Sequence, residues 1–157
     1  MNFKHALKGI SVNYTDQTML LHNDGLIELN YDVANDILSV KWPDLTDASE
    51  HEIKYSFQKL VNTLRHYDIK NLLIDTRKND IVVSEQEYEA MMLQFSRDLL
   101  STRLQRVARL QVQKPDREKR VVTAIENISN LLDMSVDYQS FSSEADALAW
   151  LKQPMHL

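Results

Sequence analysis

The first third of the chain alternates between apolar and polar residues with a period of two, which is typical of β-strands that bury one face. The segment TMLLHNDGLIELNYDVANDILSVKW contains three such stretches, which the turn sequence NDG and a second polar turn separate. The three stretches are residues 18–22, 26–31 and 37–42. Pro43 ends the third because proline has no N–H to donate to a sheet. We therefore predict an antiparallel meander.

From residue 48 onward the pattern changes to that of alternating helices and strands. Apolar residues recur on one helical face in residues 48–67, 85–100 and 117–133, and SEADALAWL predicts a fourth helix. The short segments NLLID, RVARLQV and VDYQSF lie between them and are predicted to be strands. Strands separated by helices of this length lie parallel. The pattern predicts an α/β fold with one mixed sheet: antiparallel N-terminal strands, then parallel strands, with about four helices.

The composition is that of one folded domain. The 157 residues are 43% apolar and 26% charged, which gives no sign of intrinsic disorder. We expect a single domain over residues 1–157, in which residues 1–17 form a leader. No apolar run has the length of a membrane span or a signal peptide, so a cytoplasmic location is expected.

Charge and rare residues exclude several classes of function. The net charge of −5 disfavours a general nucleic-acid binder, which needs a basic face. The absence of cysteine excludes disulfides and thiol chemistry, and the five histidines lack metal-type spacing. The two glycines cannot form a glycine-rich phosphate loop. We predict no catalytic residue, no metal and no cofactor.

Three predicted helices begin with a serine followed by an acidic residue three positions later. The three serines are Ser49, Ser84 and Ser143. In this pattern the serine oxygen accepts a backbone N–H at the helix start, so a helix cap is the simplest interpretation. For Ser84 we also keep regulation by phosphorylation as a hypothesis, because a helix N-terminus favours negative charge.

Ligands of open α/β sheets bind beyond the carboxyl ends of parallel strands. This rule selects Asp75, Arg77 and Lys78 after one predicted strand and Lys114 after the next. An anion or a polar headgroup would fit between Arg77 and Lys114. The alternative is that these residues are solvated loop charges paired with one another.

Two further groups have a functional and a structural interpretation. Met91, Met92 and Phe95 lie on one helical face and would line an adaptable pocket or simply fill the core.

In the arginine-rich segment RDLLSTRLQRVAR, Arg106 and Arg109 are three apart on a predicted strand. They would therefore lie on opposite faces of the sheet, which disfavours a single basic stripe for a membrane.

The order of elements resembles the STAS superfamily, and within it the small bacterial SpoIIAA-like (STAS/SEC14-like) proteins. The segments ILSVKWPDL, NLLIDTR and FSSEADALAWL carry the resemblance, which extends over about residues 26–152. In regulatory members of this family, a serine at the helix start after the central strand is phosphorylated. Ser84 has a comparable position, although the chain has Val83-Ser84-Glu85 where those members have Asp-Ser with a nearby glycine.

The resemblance implies a regulatory or protein-interaction module without catalysis, which is the leading expectation. The alternative is a domain that binds a small apolar ligand or lipid, at a membrane surface or away from it. The expected partners are accordingly a protein or a small apolar molecule, and a homodimer is compatible with the exposed sheet edges of such folds.

Overall fold

Six strands lie in one sheet in the order in which they occur along the chain, β1-β2-β3-β4-β5-β6. The computed structural model describes residues 18–42, 44–80, 82–132 and 135–154. The strands are β1 (Thr18–Asn23), β2 (Glu28–Asp32), β3 (Ile37–Lys41), β4 (Asn71–Asp75), β5 (Arg106–Leu110) and β6 (Asp137–Phe141). Strands β1 to β3 pair antiparallel and β3 to β6 pair parallel. The predicted mixed sheet is confirmed, whereas residues 1–17 and Pro43 lie outside the described residues.

Four helices in the described part of the chain accompany the parallel strands. They are α1 (Glu50–His66), α2 (Glu85–Leu100), α3 (Pro115–Leu131) and α4 (Glu144–Leu151). Each connection from β3 to β6 moves one strand in the same direction, so right-handed crossovers place α1, α2 and α3 on one face of the sheet. In agreement, α2 contacts both α1 and α3.

Alternating residues of the central strands separate two cores. Leu72 and Ile74 of β4 point towards α1 and α2 and belong to the larger core, with Leu60 of α1 and Phe95 of α2. Leu73, between them, packs on the opposite face in a smaller core. That core contains Ile37, Leu73, Ala108, Leu110, Ala147 and Leu151, the last two from α4. The sheet is thus covered on both faces, as the apolar run NLLID requires.

The residues at the helix starts explain where each helix begins. Ser49, Ser84 and Ser143 each accept a hydrogen bond from the backbone N–H three residues later, at 3.1, 3.1 and 3.4 Å. Their role as helix caps is therefore confirmed. Helix α3 begins differently, with Lys114 as its N-cap and Pro115 in its first turn. Proline fits this position because its missing N–H would have no partner inside the helix, and α3 therefore begins two residues before the predicted start.

Candidate functional site

The strand ends form a polar cleft that contains three of the predicted ligand-binding residues. Asp75 ends β4, and its carboxylate accepts hydrogen bonds from the Arg77 guanidinium at 3.0 and 2.8 Å and from the Arg77 backbone N–H at 3.1 Å. Burial alone would raise the pKa of Asp75, but the hydrogen bonds from Arg77 and the charges of Arg77 and Lys41 lower it below its usual value. Asp75 and Arg77 therefore form one nearly neutral unit.

The cleft has a volume of about 560 Å³ and opens beside this pair. It is bordered by Lys41, Trp42, Asp75, Arg77, Lys78 and Gln113, and by residues 23 and 25–28. Arg77 also lies 3.7 Å from the Glu144 carboxylate, so its charge is balanced within the protein. Lys41 and Lys78 are exposed.

Lys114 does not join the other three predicted residues. It occupies the N-cap position of α3 without a capping hydrogen bond from its side chain, and it is not among the described residues that border the cleft. The pKa of Asp44 is lowered mainly because Thr46 donates hydrogen bonds to its carboxylate, and the charge of Lys114 lowers it further. Lys114 and Arg77 thus have different carboxylate neighbours, and an anion bound between them stays a prediction.

A second space lies on the helical face of the sheet, beneath α2 and α3. It is a cavity of about 330 Å³, at the lower end of the ~300–1,000 Å³ typical of ligand pockets. Most of its wall is apolar or aromatic. The apolar and aromatic lining residues are Trp42, Phe57, Ile74, Tyr88, Met92, Phe95, Leu99, Val107, Val112, Val121, Ile125, Ile128, Val136 and Tyr138. The remaining lining residues are Thr76, Asn79, Ser96, Arg109 and Ser129.

The predicted pocket residues of α2 divide between the cavity and the core. Met92 and Phe95 line the cavity, together with Tyr88 before them and Leu99 after them at helical spacing. Met91 is buried in the larger core and is not among the described lining residues. The 100° step between neighbouring helical residues explains why Met91 and Met92 differ.

The polar part of the cavity wall is built around Arg109, which is only 4% exposed. Its guanidinium binds the Glu118 carboxylate through two nitrogens, with one distance of 2.8 Å, and donates to the Tyr138 hydroxyl at 2.8 Å and the Thr76 hydroxyl at 3.1 Å. Burial would lower the pKa of Arg109, but Glu118 and Tyr138 raise it above its usual value. The cavity therefore contains a charged group whose charge is already neutralised.

The structure confirms that Arg106 and Arg109 lie on opposite faces. Arg106 points towards α4 and donates to the backbone carbonyls of Trp150 and Gln153 at 2.9 and 2.8 Å. Both arginines are buried, so they do not form a basic surface. No sequence signal links Arg109 to Glu118, which lies in the next helix.

Another part of the cavity wall is aromatic. The Trp42 ring lies 4.7 Å from the Phe57 ring and 5.9 Å from the Phe95 ring, between centroids. Among the described residues, Trp42 is the one that lines both the cavity and the cleft. Its indole N–H is buried and finds no acceptor in the described part of the chain. The sequence pattern identifies Trp42 only as the end of a strand.

Ser84 lies at the start of α2 and is exposed. Its hydroxyl oxygen accepts the Glu87 N–H, and the neighbouring Val83 carbonyl accepts a hydrogen bond of 3.3 Å from Arg120. Phosphorylation of Ser84 stays a prediction.

Over the described residues, no group of three or more histidine or acidic side chains is arranged to hold a metal ion. No helix in these ranges is long and apolar enough to cross a membrane.

No protein-family model and no curated protein sequence matches the chain. The resemblance to the STAS superfamily therefore stays a prediction from the three segments that carry it.

Proposed function

We propose that this chain is a non-catalytic cytoplasmic domain that binds a small, mainly apolar molecule in the cavity beneath α2 and α3. The observation that carries the proposal is the cavity itself, about 330 Å³ with a mostly apolar wall. An unfilled space of this size would cost on the order of several kcal/mol in lost packing. This is a large fraction of the roughly 5–15 kcal/mol that stabilises a typical domain. A bound molecule that fills the space would restore these packing contacts.

The electrostatics of the wall favour an uncharged occupant. Arg109 is the one cation among the described lining residues, and Glu118 already binds it through two nitrogens. A buried carboxylate or phosphate would have no free counter-charge there, and burying an unpaired charge is strongly unfavourable. The ligand class that fits is therefore a neutral ring compound or short-chain lipid-like molecule.

A titration with tetralin, an uncharged two-ring hydrocarbon, tests the proposal. Isothermal titration calorimetry should show saturable binding to the wild-type protein at one site. Ile125→Phe places extra atoms in the cavity and should weaken binding at least tenfold. Val122→Phe is the matched control, because Val122 lies on the same helix, is 38% exposed and is not among the described lining residues.

The proposal is overturned if tetralin does not bind, or if Ile125→Phe and Val122→Phe bind it equally well. Native mass spectrometry of protein purified without detergent gives a second readout, in which a co-purified neutral compound is expected. That compound should be absent from the Ile125→Phe variant and present in the Val122→Phe variant.

A regulatory protein-interaction module is the second candidate, and the cleft at the strand ends favours it. Exposed Lys41 and Lys78 flank the neutralised Asp75–Arg77 pair there, which would suit an acidic segment of a partner. Reversing both lysine charges, to Lys41→Glu and Lys78→Glu, should abolish recovery of a partner in a pull-down, whereas the exposed Lys152→Glu should not. Equal recovery with all variants would argue against this candidate.

A further inference from the structure

The indole N–H of Trp42 is a buried donor without an acceptor in the described ranges. Trp42 is only 5% exposed, and a buried donor that stays unpaired is unfavourable because it loses its hydrogen bond to water. Most buried polar groups in folded proteins are paired, so each exception calls for an explanation. A phenylalanine would fill an apolar wall without this cost.

Trp42 lines the cavity together with the aromatic residues that its ring contacts. Phe57 and Phe95, whose rings contact Trp42, both line the cavity and are not among the described residues that border the cleft. The Trp42 ring therefore forms part of the cavity wall, next to these two aromatic residues.

The polar groups around Arg109 are already engaged with one another. Thr76 accepts from Arg109 and donates to the Leu110 carbonyl, and the Tyr138 hydroxyl contacts both Arg109 and Ser140. The Trp42 N–H differs from these groups because it has no partner in the described chain.

We propose that the occupant of the cavity carries one neutral hydrogen-bond acceptor, such as a carbonyl or ether oxygen, that binds the Trp42 indole N–H. This inference rests on the proposed function and deepens it. The ligand class becomes an apolar ring or chain with a single uncharged oxygen that lies beside the Trp42 ring. A fully apolar molecule would leave the indole unpaired, and a carboxylate would lack a counter-charge.

Two matched compounds test the inference. Tetralin and 1-tetralone share the same two-ring skeleton, but only 1-tetralone has a carbonyl acceptor. Their affinities are measured by calorimetry on the wild-type protein, on Trp42→Phe, which lacks the donor, and on Tyr55→Phe, which loses an exposed hydroxyl of α1 away from the described cavity lining. The ratio of the two affinities in each protein removes the general effect of cavity size and of ligand solubility.

We expect Trp42→Phe to weaken the affinity for 1-tetralone by about fivefold relative to the affinity for tetralin. This factor corresponds to the loss of one neutral hydrogen bond. Tyr55→Phe should leave the ratio as it is in the wild type. If both compounds bind and Trp42→Phe does not change the ratio, the inference is overturned and the proposed function stands. If neither compound binds to the wild-type protein, the proposed function fails and the inference fails with it.

A measurement on the wild-type protein does not depend on whether Trp42→Phe folds. The chain has two tryptophans, so a ¹H–¹⁵N spectrum contains two indole signals. Addition of 1-tetralone should move the Trp42 indole proton downfield relative to its position with tetralin. The Trp150 signal, from α4 on the other face, is the internal reference. Identical Trp42 shifts with the two compounds would overturn the inference.

Discussion

Arg109 and Glu118 form a buried ion pair through two nitrogens of the guanidinium, which joins the middle of the parallel sheet to the first turn of α3. The side chains are only 5% and 17% exposed. Glu118 also accepts the Val112 backbone N–H at 2.9 Å, so one carboxylate holds both the arginine and the chain segment that leads into the helix. This arrangement fixes the polar part of the cavity wall around Arg109.

Replacing Glu118 by glutamine should destabilise the protein by about 3–5 kcal/mol, because Arg109 would remain buried without its counter-charge. Urea unfolding followed by circular dichroism measures the change. The matched control is Glu126→Gln, an exposed position on the same helix, which should change the free energy of unfolding by no more than about 0.5 kcal/mol. A similarly small effect of Glu118→Gln would contradict the importance of the pair.

Met91 and Met92 should respond differently to replacement by alanine although they are neighbours. Met91 is packed in the larger core, so Met91→Ala should cost about 2–5 kcal/mol. Met92 borders an existing cavity, and Met92→Ala should cost less because fewer packing contacts are lost. Chemical denaturation of both variants checks the order. Equal costs would indicate that the space beside Met92 is closed.

Ser84→Ala should lower the free energy of unfolding by about 1 kcal/mol through the loss of the helix cap. Ser84→Asp is the matched control, because aspartate caps helices as well as serine does, and it should keep nearly wild-type stability. The comparison is made by thermal and urea unfolding. Equal stability of Ser84→Ala and the wild type would show that the hydroxyl is not needed as a cap, which would strengthen a regulatory interpretation.

Asp24, in the turn between β1 and β2, should make the stability of the protein depend on pH in the acidic range. Burial alone would raise the pKa of Asp24, but hydrogen bonds from His22 and from the backbone of Ile27 and Leu26 lower it from 3.8 to about 2. Because the pKa is lower in the folded state, Asp24 stabilises the fold above about pH 4, and this contribution is lost as the pH falls towards 2.

Asp24→Asn should therefore be less stable than the wild type at neutral pH, and the difference should shrink between pH 4 and pH 2. Urea midpoints measured across this range test the expectation, with the exposed Asp47→Asn as the control. A difference that stays constant with pH would show that the carboxylate contributes nothing through its charge.

Local sequence signals were sufficient for most of the fold. The apolar run NLLID gives β4 without error, and Ser84 fixes the start of α2 because a capping serine has a recognisable spacing to the acidic residue that follows. The start of α3 was predicted two residues late because Lys114 offers no side-chain cap and Pro115 acts by its fixed backbone angle instead.

The candidate site was predictable only in part. Asp75, Arg77 and Lys78 meet because they follow one strand, which the sequence shows directly. The cavity depends on how Trp42, Arg109 and Ile125 from separate elements approach one another across the core. Such distances follow from tertiary packing, and no spacing along the chain encodes them.

The position of Trp42 in the walls of both the cavity and the cleft has an energetic consequence. A molecule that moved this ring on one side would change the shape offered on the other, so binding at the two proposed places would be thermodynamically linked. Linkage is reciprocal: whatever an apolar occupant does to the affinity of the cleft, a partner in the cleft does equally to the affinity of the cavity. One tryptophan would thereby connect the two candidate functions in a single two-ligand equilibrium.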